Sequence, residues 1–170
     1  MKKYSLVIFP SNEVQEVANS YRKRYDSHFA LISPFIRLVD TFELDEEKVP
    51  GLVQNIQQAA ESTDAFTVKF HRVSTFHPTS NTLYLAVQNK EPFEKLHLTL
   101  VEYLGLRAQS FAFVPHVTIG RNLTDDECKD VAGQLRMMKF DLDSEIDSFQ
   151  LISEEEDKTW KVVQSFNLKG

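Results

Sequence analysis

Cysteine is nearly absent: Cys128 is the single one in 170 residues. An internal disulfide and a multi-cysteine metal site are both excluded. Glycine is scarce as well, with five residues and no Gly-rich phosphate loop among them, which excludes P-loop nucleotide triphosphatase chemistry. No apolar run approaches the roughly 18 residues that cross a bilayer. The opening "MKKYSLVIFP" stops its apolar run at Pro10 and lacks the length and small-residue cleavage site of a signal peptide. It reads as a first strand, and the expected compartment is the cytoplasm. Positive charge is in the minority, 19 Lys and Arg against 25 Asp and Glu, for a net charge of −6. A long duplex lying across the surface would need many phosphates neutralised, which this balance argues against. A small phosphate-bearing ligand in a locally basic cleft is compatible with it.

What is present is ordinary for a globular domain, with 42% hydrophobic and 26% charged residues. Apolar spacing alternates along the chain between strand and helix periods. "YSLVIF" is β-rich. Ser11 offers an N-cap to a helix carrying Val14, Val17, Ala18, Tyr21 and Tyr25. A strand follows around 35–42, then a helix capped by Asp45 with Val49, Leu52, Val53 and Ile56 on one face. "FTVKFHRVSTF" and "TLYLAV" form a hairpin across the turn "HPTSN". Pro92 opens a third helix with Phe93, Leu96, Leu100 and Leu104 on its face. "TDDE" at 124–127 fits a capping box for a fourth. The end, "SFQLISEEEDKTWKVVQSFNL", reads as a hairpin with an acidic tip at 154–157 and Trp160 in the core. No flexible linker or low-complexity tract divides the chain, so residues 1–170 are expected to form one α+β domain.

Two stretches share a pattern: Pro34-Phe35-Ile36-Arg37-Leu38 and Pro115-His116-Val117-Thr118-Ile119. Each is proline, X, branched aliphatic, X, aliphatic, as in a short duplication, with 35 equivalent to 116 and 37 to 118. On a strand, residues i and i+2 share a face about 6.5–7 Å apart, so His116 and Thr118 project together while Val117 and Ile119 enter the core. An imidazole beside a hydroxyl suits a phosphate, the hydroxyl donating to an oxygen and the ring shuttling a proton. Arg121, just beyond, can add a bidentate cation. Spacing alone also fits a strand-end histidine bonded to backbone. A second His-X-Thr, His97 and Thr99, lies within a helix, where the two point about 200° apart; His97 is read as a satisfied, partly buried residue.

"PHVTIGR" resembles the His-X-Thr signature of the 2H phosphoesterase superfamily, which includes 2′-5′ RNA ligase-like and cyclic phosphodiesterase proteins. The layout is similar to its YjcG-like branch, through the opening strand, "SYRKRYD", "FHPTSNTLYLAV" and "DKTWKVVQSFNL". The resemblance covers nearly the whole chain. It implies a bilobal, duplicated fold with two antiparallel sheets flanked by helices around a central cleft. It implies metal-free phosphodiester chemistry without a cofactor, one histidine acting as base and the other as acid, with two hydroxyls holding the phosphate. The expected partner is a small phosphodiester, a 2′,3′-cyclic phosphate or a 2′-5′ linked nucleotide or RNA end, and not a membrane. His116 and Thr118 match the second motif as catalytic residues. The first motif departs from the pattern, with Phe35 in the histidine place and Arg37 in the hydroxyl place. Arg37 and Arg121 remain phosphate ligands, but half the acid–base pair is missing. A nucleotide- or RNA-end-binding protein that keeps the cleft is the alternative.

His77, in the hairpin loop, is the first choice among other histidines to line the cleft with Phe35, ahead of His71 and His28. The run Arg22-Lys23-Arg24 is read as a solvated helix face rather than a nucleic-acid contact. Cys128, on the apolar side of its helix, is read as an inert core thiol.

Overall fold

A computed structural model describes residues 1–106 and 113–170. Strands and helices follow in the order β1 (Lys2–Ile8), α1 (Asn12–Tyr25), β2 (Ile36–Leu44), a 3-10 turn (Glu46–Lys48), α2 (Val49–Glu61), β3 (Phe66–Thr75), β4 (Leu83–Val87), α3 (Glu91–Leu104), β5 (His116–Gly120), α4 (Asp125–Leu135), β6 (Leu142–Ile146), β7 (Ser148–Glu154) and β8 (Trp160–Asn167). The helices begin where local chemistry allows. Proline occupies the first turn of α2 and of α3, where its missing N–H is no loss. The Thr124–Glu127 capping box closes in both directions at α4. Ser11 precedes α1 without a side-chain cap; its backbone N–H donates to Ser144 Oγ at 2.9 Å instead.

Among the described residues the strands form one eight-stranded antiparallel sheet in the order β6-β3-β4-β5-β2-β1-β7-β8. The expectation of two sheets is corrected here. Two four-stranded halves, one centred on β3 and β4 and the other on β1 and β7, are joined through β2 and β5 at the pair Ile36–Val117. This junction pairs residues far apart in sequence, so no single window of the sequence contains it. The strand β6 also has no counterpart in the sequence reading. Its five residues alternate buried and exposed, and its Phe66–Ile146 to Phe70–Leu142 register extends β3 outward.

The core lies between the sheet and its helices. Ile36, Leu38, Val117 and Ile119 are fully buried there with Leu6, Ile8, Val14, Ile56, Phe93 and Cys128. Cys128 is thus packed as expected. Trp160 is not in the core as expected; it is half-buried at the start of β8, an edge strand. The register at the junction makes Ile36 a junction residue and a core residue at once. Truncation of this β-branched chain to alanine leaves a void that a close-packed sheet closes poorly. Ile36→Ala is expected to cost about 2–5 kcal/mol by urea denaturation; a cost below about 1 kcal/mol would show that the junction does not carry the packing.

Candidate functional site

Beside the Ile36–Val117 pair, the antiparallel register sets Arg37 across from His116 and Phe35 across from Thr118. Because Ile36 and Val117 point to the core, their neighbours all project from the opposite face. A local twofold through the junction exchanges 35 with 116 and 37 with 118, the equivalence that the repeated pattern implies. The four side chains line one open cavity of about 570 Å³, together with Leu38, Asp40, Phe76, Thr79, Ser80, Phe113, Val114 and Arg121.

Each wall has an identifiable support. His116 Nδ1 lies 2.7 Å from the Val114 carbonyl. A carbonyl only accepts, so Nδ1 carries the proton and the neutral ring keeps its lone pair on Nε2. The ring is wedged against Phe76, with centroids 5.0 Å apart, and Tyr84, at 5.1 Å. Phe76 and Tyr84 stack at 4.3 Å. Burial pushes the imidazole below its ordinary value; the bond to Val114 opposes this, and Arg37 and Arg121 add to the lowering. A neutral ring with a free Nε2 is suited to accept a proton at neutral pH.

Arg37 is exposed at the mouth of the cleft, its guanidinium 5.5 Å from the centre of the Phe35 ring. The protein around it lowers its pKa from the arginine value, mainly by desolvation and in part through Arg121, while Asp40 opposes the shift. On a third side, Phe113 stacks parallel to His97 with centroids 4.5 Å apart. His97 is 4% exposed and donates from Nδ1 to the Leu38 carbonyl at 2.6 Å. It is the satisfied core histidine expected from its helix.

Arg121 is held from behind. Its Nε lies 2.7 Å from Asp26 Oδ1 and its Nη1 2.9 Å from His28 Nδ1. Guanidinium only donates, so His28 accepts here, and burial with the adjacent Arg121 keeps its pKa low. Asp26 is also bound at Oδ2 by Arg22 Nε at 2.8 Å, and at Oδ1 by the His28 backbone N–H at 2.8 Å. Arg22 further donates to Asn19 Oδ1 at 2.8 Å and to the Ile32 carbonyl at 2.6 Å. The solvated-face reading of Arg22 is corrected: it is 1% exposed, while Lys23 and Arg24 remain exposed. The i, i+4 spacing of Arg22 and Asp26 was the available signal. Gly120 allows this approach, since a Cβ there would stand 3.1 Å from Tyr25 Cβ.

Phe35, Arg37, His116, Thr118 and Arg121 therefore share one cleft. His77 does not line it. Its Nδ1 meets Asn81 Oδ1 at 2.9 Å, and Asn81 is tied to the Leu123 carbonyl and to Asp125. The same loop supplies Thr79 and Ser80 to the lining instead. His71 is likewise not a lining residue, and His28 acts on the cleft only through Arg121. Phe76, Phe113 and Asp40 are lining residues that the sequence reading missed; Phe113, three positions before His116, is an aromatic residue beside the motif and the signal that could have found it.

The family model for the 2′-5′ RNA ligase superfamily matches residues 9–158. The chain belongs to this superfamily. Curated relatives are similar along their whole length. A protein of Geobacillus sp. strain WCH70 is 42% identical over 168 residues, 99% of this chain and 97% of its own, and one of Oceanobacillus iheyensis is 39% identical, with 98% of each covered. Both carry the name "Putative phosphoesterase". The fold is shared with Escherichia coli LigT solved with 3′-AMP, at 14% identity and a TM-score of 0.72 over 99% of both chains. The protein TT0787 of Thermus thermophilus matches at 17% identity and a TM-score of 0.72 over 100% of this chain and 99% of its own. Superfamily membership agrees with the curled antiparallel sheet and flanking helices.

Two measurements check the electrostatics of the cleft. The His116 ring is expected to titrate by NMR below the ordinary histidine value of 6.5; a midpoint at or above it would contradict the desolvated, cation-flanked setting. Asp26→Ala leaves two arginines facing a buried gap, with an expected stability loss of about 3–5 kcal/mol in denaturant titrations. A loss under about 1 kcal/mol would mean that other groups hold them.

Proposed function

We propose that the chain is a phosphoesterase acting on a small phosphodiester, a 2′,3′-cyclic phosphate or a 2′-5′ linked nucleotide or RNA end. The observation that carries this reading is the junction register, which supports a shared anion pocket for residues 35, 37, 116 and 118. The reaction follows from the side chains. Thr118 donates its hydroxyl to a non-bridging oxygen, while Arg37 and Arg121 hold the remaining charge from two sides. The substrate phosphorus then stands before His116 Nε2. That nitrogen takes a proton from water or from a ribose hydroxyl as its oxygen bonds to phosphorus. The P–O bond to the leaving ribose oxygen breaks, and that oxygen takes its proton from solvent. The Val114 carbonyl keeps the ring in the required tautomer. Charge developing on the phosphoryl oxygens is met by Arg37 and by Arg121, which Asp26 and His28 already hold in place.

A second reading is a binding protein for nucleotide or RNA ends. Phe35 favours it, since it removes one proton-transfer group and offers a ring on which a base can stack. Thermal shift with nucleotides and phosphate separates the two: stabilisation without product supports binding alone.

The test of the main reading is turnover on a panel of 2′,3′-cyclic nucleotides and 2′-5′ oligonucleotides. His116→Ala is expected to lower kcat about 10²–10⁴-fold, while Arg37→Ala raises KM. Absence of turnover, or turnover untouched by the His116 substitution, overturns the assignment.

A further inference from the structure

The cleft is chemically lopsided. One side carries a proton acceptor, His116, whose Nδ1 is occupied and whose Nε2 is free. The side related to it by the junction twofold carries Phe35, which holds no exchangeable proton, and Arg37, whose guanidinium stands 5.5 Å from that ring. A guanidinium stabilises an anion but does not give up its proton at neutral pH. Among the described residues, the lining there therefore supplies charge where the duplicated arrangement implies an acid. Asp40, the carboxyl among the described lining residues, acts on Arg37 through its charge.

A base on one side and a cation on the other place a demand on the substrate. An alkoxide leaving from phosphorus needs a proton in the transition state, and the absent acid costs such a substrate heavily. A leaving group that is stable as an anion needs no proton and benefits fully from a cation beside it. We infer that Phe35 and Arg37 tune this cleft to prefer phosphodiesters whose leaving group departs as an anion, so that phosphoanhydride-linked nucleotides are turned over ahead of the cyclic and 2′-5′ linked esters. The inference rests on the reading of His116 as the base.

The step balances without a further reactant. A water oxygen forms the new bond to phosphorus and its proton passes to His116 Nε2. The P–O bond of the anhydride on the Phe35–Arg37 side breaks, and its electron pair leaves on the departing phosphate oxygen, which Arg37 holds. Two nucleoside monophosphates result from a dinucleoside diphosphate, and His116 returns its proton to solvent. The aromatic walls at Phe35, Phe76 and Phe113 give the two bases sequence-tolerant faces to stack on.

The test compares a dinucleoside diphosphate with a nucleoside 2′,3′-cyclic phosphate, in the wild type and in the double variant Phe35→His with Arg37→Thr. The ratio of the two kcat/KM values cancels most of the variant's general damage. It is expected to favour the anhydride in the wild type and to fall about 10²–10⁴-fold in the double variant, the range general acid catalysis contributes. Should the double variant not fold, a series of nucleoside 5′-aryl phosphates gives the wild-type dependence of rate on leaving-group pKa. A steep dependence supports the inference, and a flat one overturns it. A ratio unchanged by the double substitution also overturns it. So does a wild type indifferent to the leaving group that loses this indifference in Asp40→Asn, which would make Asp40 the acid. In each of those three cases His116-dependent turnover persists and the phosphoesterase reading stands; no His116-dependent turnover of either substrate removes both.

Discussion

Ile36 and Val117 pair across the middle of the sheet, and nearly everything about the cleft follows from that register. Side chains on adjacent strands alternate between faces with a period of two, so burying these two aliphatic residues forces their four neighbours outward. A slip by one residue would drive Arg37 and His116 into hydrocarbon and expose the branched chains. Both unfavourable terms act together, and the register is specified by the core rather than by the cleft. Whatever the cleft does chemically is thus supported by packing on the other side of the same backbone.

Behind the cleft lies a second constraint, of charge. Asp26 is fully buried and receives both Arg22 and Arg121. One carboxylate between two guanidiniums leaves net positive charge, and Arg121, still 21% exposed, presents part of it to the cavity. Charge that is anchored through a buried partner is costly to move, which is what a pre-organised anion site requires. The chain's overall negative charge is compatible with this because Arg37 and Arg121 act locally in the cleft.

Much of the fold and some of the site were legible in the sequence, for identifiable reasons. The alternation around His116 and Thr118 is a period-two signal, and it correctly separated core from cleft. The capping box at Thr124 and the prolines at the starts of α2 and α3 are local chemistry, and the helices begin there. The repeated pattern around Pro34 and Pro115 pointed to the residues that meet at the junction. What escaped is non-local. The continuity of one sheet depends on a pairing between β2 and β5 that no window contains. Arg22 is enclosed by the Ile32 carbonyl as well as by Asp26, and of these two only Asp26, at i, i+4 spacing, is local. The position of His77 depends on Asn81 bonding to the loop before α4. In each case composition was read correctly, and the partner was supplied by the fold.

The stacked pair of Phe113 and His97 ties the cleft to the interior by another route. His97 belongs to α3, yet its Nδ1 proton is spent on the Leu38 carbonyl in β2, one residue beyond Arg37. The same imidazole thus braces an aromatic wall with its face and a strand with its edge. A core histidine held in this way works as a structural rivet: it couples helix, strand and cavity wall into one piece, so that a tilt of α3 is felt as a change in the shape of the opening.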